Sequence, residues 1–190
     1  MAELGIDDLY LAIGSREDVY LPLPNPAFGR RYLTYLEEHY GFRGLLRPKW
    51  EYSGFTIFDM AVSYEIDGPA QVIIESHPDG TATRYALGGG SIVGGTRFKV
   101  LPDATLVLGR AADRREPGPV DHIVVFGDGQ VVAIALPADK PPGPLVARWA
   151  DHLGLPDAEH LGIEIKVPDD TAADLRVFAL SDGRAAEITP

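Results

Sequence analysis

Four Asp-Gly pairs, at Asp67-Gly68, Asp79-Gly80, Asp128-Gly129 and Asp182-Gly183, each stand between short apolar runs. Asp-Gly supplies the positive φ angles of tight turns, so each pair signals a hairpin and a chain that repeatedly reverses on itself. The stretch LRPKWEYSGFTIFDMAVSYEIDGPAQVIIESHPDGTATRYAL alternates apolar and polar residues in runs rich in Val, Ile, Tyr and Phe. That is the period of half-buried strands. The expected organisation is an antiparallel meander through roughly residues 46 to 110, a separate hairpin in HIVVFGDGQVVAIAL, a strand over 161–167, a turn in PDDTAAD and a closing hairpin in LRVFALSDGRAAEI.

Two segments change period from two to 3.6. In PNPAFGRRYLTYLEEHYGF, Asn25 suits an N-cap, Pro26 the first helical position and Gly41 the residue after the end, which predicts a helix near 26–40. Phe28, Tyr32, Leu33, Tyr35, Leu36 and Tyr40 form its apolar stripe. A second helix, near 144–154, carries Leu145, Val146, Trp149, Ala150 and Leu153 on one face before Gly154 and Pro156 end it. The fold class is therefore α+β: a mainly antiparallel β-meander, as a curled sheet or partial barrel, with two main helices. At 190 residues the chain suits a single compact domain. The charged, Pro-containing AADRREPGP, 111–119, is the natural linker if there are lobes over 1–110 and 120–190.

Composition narrows the partners. A formal charge of −11 and a pI near 4.8 oppose binding to a phosphate backbone or an anionic membrane surface. The same field attracts a basic protein or a cationic ligand. With no cysteine there is no disulfide framework and no thiolate chemistry. The opening lacks a basic stretch followed by an apolar run, and no segment approaches about 18 uninterrupted apolar residues, so the expected location is the cytoplasm. The scarcity of lysine, 4 of the 17 cations, beside abundant Ala, Gly, Pro and Arg fits GC-rich bacterial coding.

Residues 88–95 read GGGSIVGG, five glycines in eight positions. G-x-G-x-x-G fails because Val93 stands where a third glycine is needed, and the P-loop pattern fails because Thr96 and Arg97 follow Gly95. Both motifs also need a helix behind the loop, whereas TRFKVL alternates like a strand. The surroundings are nonetheless basic: from 80 to 102 there is no carboxylate, and Arg84, Arg97 and Lys99 are present. If 81–87 and 96–101 are neighbouring strands, these cations converge on a small anion site with Gly89 and Gly90 in the lid. The plainer expectation is a long solvated loop with basic residues on an edge.

The histidines His39, His77, His122, His152 and His160 have no compact metal-ligand spacing. A loop centred on Gly68 would set Asp59 opposite His77, with Glu75 a diagonal step away. An Asp orienting a His is the usual support for a general base, so Asp59, His77 and Glu75 are the candidate catalytic group. No G-x-S-x-G elbow is present, and no motif calls for a cofactor. Two readings follow. One is a non-catalytic interaction protein, immunity-like or accessory, that engages a partner with a basic surface. The alternative is a small cofactor-free enzyme or small-molecule binder with a pocket in the 46–110 sheet, lined by Trp50, Tyr52, Phe55, Tyr64 and Tyr85.

Overall fold

The computed structural model describes residues 21–22, 26–52, 55–88, 90–138, 144–155, 160–168 and 174–190. Asn25, Gly89, Pro156 and residues 169–173 lie outside that description, as do the side chains of Phe28, Trp50, Tyr52, Phe55 and Asp59. The fold is α+β with mostly antiparallel strands. It divides into one unit of Met1–Ser63 and Ser76–Thr81 and another of Tyr64–Glu75 and Ala82–Pro190.

In the first unit β1 (Leu21–Pro22) and β2 (Leu45–Tyr52) both pair antiparallel with β3 (Phe55–Asp67). The register of β2 shifts on either side of Pro48, which has no N–H to give the ladder. Helix α1 (Pro26–Tyr40) ends where the spacing predicts. Gly41 takes a φ of 65°, and its N–H reaches Glu37 O at 3.0 Å. Tyr32 and Leu36 are buried with Ala61, and Leu33, Tyr35, Phe42 and Leu46 pack around them. Tyr40, placed in the stripe by its spacing, is instead 49% exposed at the helix end.

The second unit contains two sheets. One runs from the end of β3 through β4 (Val72–Ser76), β5 (Ala82–Leu87), β12 (Arg184–Glu187), β11 (Arg176–Ser181) and β8 (His122–Gly127) to β9 (Gln130–Ala135). The other has the order β10–β7–β6, from Gly162–Pro168, Ala104–Asp113 and Ile92–Leu101. The meander therefore continues only to Leu87, where the chain leaves for the second sheet. The freed side of β5 pairs in parallel with β12, Arg184 opposite Ala86 and Ala185 opposite Leu87. Asp128-Gly129 and Asp182-Gly183 close two-residue turns between Gly127 and Gln130 and between Ser181 and Arg184. All four turn residues have positive φ, as a type I′ turn requires.

Strands β8 and β11 are buried at almost every position. Ile123, Val125, Val177 and Ala179 enter a core shared with Val107, Ile165 and Val167. On the opposite side the rings of Phe126 and Phe178 meet edge to face at 5.5 Å. Helix α2 (Pro144–Leu153) ends in a pair of bonds, Leu155 N–H to Ala150 O at 3.0 Å and Gly154 N–H to Asp151 O at 3.1 Å. Ala150 packs with Ala112, Leu155 and Leu161, flanked by Val146, Trp149 and Leu153. Leu145 is 72% exposed, because the narrow stripe of 146, 149, 150 and 153 excludes it. Residues 111–119 belong to this unit: they finish β7 and form a turn closed by Asp113 and Gly118.

Candidate functional site

The loop after β3 occupies residues 68–71, longer than a two-residue turn centred on Gly68. Asp67 Oδ1 accepts the Ala70 N–H at 3.1 Å, and Gln71, with a φ of 53°, donates its N–H to Gly68 O at 3.2 Å. The aspartate side chain thus supplies an acceptor within a loop in which Pro69 has no N–H to give. The longer loop sets which residues face each other across β3 and β4.

Strand β4 buries Ile73 and Glu75, two positions apart on one side. Glu75 is 1% exposed and Tyr64 4%. Tyr64 donates its hydroxyl proton to Glu75 Oε2 at 2.7 Å, and Tyr85 of β5 donates to the same oxygen at 3.0 Å. Two hydrogen bonds to a carboxylate oxygen offset much of what burying it costs. Chemically, a carboxylate held between phenols is an acceptor for a cationic or hydroxyl-bearing group. Three of the residues singled out from sequence, Glu75, Tyr64 and Tyr85, thus meet.

His77 belongs to the first unit, with Nδ1 2.9 Å from Met60 Sδ. Its N–H and carbonyl frame the next turn, through Thr81 O and the Gly80 N–H, each at 3.0 Å. Asp79 closes that turn by accepting from the Thr81 hydroxyl at 2.7 Å and the Thr81 N–H at 2.8 Å. The hydroxyl bond, then the N–H bond, hold the Asp79 carboxyl below its usual range. The Asp59 side chain needed for the candidate pair with His77 lies outside the described residues.

The three cations near the glycines do not meet through strand pairing. Arg84 sits on β5, whose neighbours are β4 and β12, whereas Arg97 and Lys99 sit on β6, whose neighbour is β7. The glycine stretch itself divides in two. Gly88 and Gly90 turn with φ of 88° and 40°, while Gly94 and Gly95 lie within β6 opposite Ala111 and Arg110. The turn is fastened at both ends, by Gly88 N–H to Ala185 O at 3.2 Å and by Arg114 N–H to Ser91 O at 2.8 Å.

Beside it lies a buried ion pair that no local motif announces. Asp113, 1% exposed, accepts from Arg184 Nη2 at 2.9 Å and from the Arg115 N–H at 2.9 Å. Arg184 Nη1 also donates to Ser91 Oγ at 2.6 Å. This network joins the start of β12, the end of β7 and the glycine turn. Among the described residues no group of three His, Asp or Glu side chains is placed to hold a metal ion, and no helix is long and apolar enough to cross a membrane. Compared with known proteins, the chain matches no family model, no curated protein and no solved structure.

Proposed function

We propose that the chain is a non-catalytic acidic interaction protein, immunity-like or accessory, that engages a partner with a basic surface. The observation that carries this reading is where the carboxylates lie. Among the described residues only Glu75 and Asp113 are buried acids, each satisfied internally, so the other described carboxylates of this chain of charge −11 lie outside the core. Such a field raises the rate of encounter with a basic surface and falls off with ionic strength. The test is partner capture by the immobilised chain at low and raised salt. A captured protein with a basic surface, released as salt rises, is the expected result; capture indifferent to salt overturns it.

One observation favours a second reading, a small cofactor-free enzyme or small-molecule binder. Glu75, Tyr64 and Tyr85 converge on one oxygen within the 46–110 region, and such convergent polar groups are what orient a ligand in an apolar site. A thermal-shift screen of small cations, polyols and anions checks it, since a ligand of the native state raises stability by mass action. A shift that is lost in Glu75→Gln supports the reading, and none with any class rejects it.

A further inference from the structure

The register of the three-stranded sheet sorts its side chains into rows. Phe98, Val107 and Ile165 lie in one row and Val100, Thr105 and Val167 in the next, all on one face. Val107, Ile165 and Val167 belong to the buried core, but the same rows run out on β6, where Phe98 is 37% and Val100 77% exposed. The core-side face therefore continues past β7 as uncovered apolar surface. On the other face Arg97, Leu108 and Glu164 form one row across the three strands, and Lys99, Leu106 and Lys166 the next. Helix α2 covers this second face only toward the far end, where the Arg110 guanidinium lies 4.8 Å over the Trp149 ring and Val93 packs near Ala150.

Among the described residues no strand pairs with the outer edge of β6, because the order β10–β7–β6 ends there. An edge strand presents unpaired N–H and C=O groups. Cations guard such an edge against basic strands; they attract an acidic one. Residues 97–101 combine that open backbone with two exposed apolar side chains on one face and two cations on the other. Lys166, in the row of Lys99, is paired with Asp103 at 2.9 Å, so Arg97 and Lys99 are the cations of this edge, and no carboxylate occurs in the sequence from 80 to 102.

We propose that the outer edge of β6 at residues 97–101 is a docking site for an extended segment of a partner protein that alternates acidic and apolar side chains. The segment adds as a fourth strand. Its backbone completes the ladder, its apolar side chains extend the Phe98 and Val100 rows, and its carboxylates meet Arg97 and Lys99. The surface is opposite in charge to the one invoked above and does not depend on it.

The experiment measures binding of fluorescent peptides to the full chain by anisotropy, using one short peptide that alternates Glu with Val and one that alternates Lys with Val. The wild type is expected to bind the Glu peptide and slow amide exchange along β6. In R97E/K99E, both at exposed positions, that affinity falls by about tenfold or more and the preference passes to the Lys peptide. Equal binding of both peptides, affinity unchanged in R97E/K99E, or no binding overturns the proposal. So does self-association of the wild type that R97E/K99E abolishes, since the occupant is then a second copy of the chain.

Discussion

Glu75 occupies a position that its strand reserves for core, in phase with buried Ile73, and two tyrosine hydroxyls hold its carboxylate there. Removing the acceptor takes this partner from both hydroxyls: Glu75→Ala is expected to cost about 2–4 kcal/mol in urea unfolding, as a buried hydrogen-bonded carboxyl group is lost and a cavity left. Tyr64→Phe is expected to cost about 1–2 kcal/mol and Tyr85→Phe less, because Tyr64 is buried and Tyr85 only half-buried. Equal losses in the two phenylalanine variants would remove the burial argument. From sequence the glutamate was read as a member of an acid-base group with Asp59 and His77, and its burial in phase with Ile73 was not. Its partners depended on a loop longer than Asp67-Gly68 alone indicates, since a different register changes which residues face each other. Asp113 and Arg184 were not legible at all, being 71 positions apart. Asp113→Ala leaves a guanidinium that is 12% exposed without its main partner, for an expected loss of about 3–5 kcal/mol. Adding Arg184→Met should recover part of it, and a strictly additive double-mutant cycle would show the pair to be uncoupled.

At the scale of elements, what could be read from sequence was local. The helix limits follow from Pro26, Gly41 and Gly154, and two hairpins follow from Asp128-Gly129 and Asp182-Gly183, because caps and I′ turns are set within a few residues. The pairings of β5 with β12 and of β7 with β10 join segments far apart in the chain, and no periodicity in either segment reports them. The glycine stretch sits on this divide. Its first glycines turn the chain, whereas Gly94 serves close packing inside a strand. A Cβ there would stand 2.5 Å from Arg110 O, with Ile188 also near, while one on Gly95 meets nothing within 4 Å. Gly94→Ala is therefore expected to lose about 1–3 kcal/mol. Gly95→Ala, one residue away, should be neutral or gain up to about 1 kcal/mol by restricting the unfolded chain. Thermal unfolding of the two variants compares them directly, and equal behaviour would mean that β6 shifts to accept either methyl.

For the whole molecule, charge sets the response to solvent. A chain at −11 repels itself when folded, and added salt screens that repulsion. The surface pairs that salt weakens, Glu37–Arg43, Asp103–Lys166 and Glu187–Arg176, are exposed and contribute little each. At neutral pH the melting temperature should thus rise with moderate salt. Acidification acts through the carboxyls that the fold shifts. The hydrogen-bonded Arg176 holds Glu187 below its usual range, and Lys166 and the Thr81 hydroxyl do the same for Asp103 and Asp79. A carboxyl with a lowered folded pKa stabilises the protein above its unfolded pKa, and that contribution is lost as pH falls through the folded value. Stability should therefore fall as pH drops below the ordinary carboxyl range, with Glu187→Gln flattening that acid limb and leaving the salt response at neutral pH in place. Melting curves across pH at two salt concentrations separate the two effects. A melting temperature that drops with salt at neutral pH would mean that attractive pairs, and not net repulsion, dominate the electrostatics of this chain.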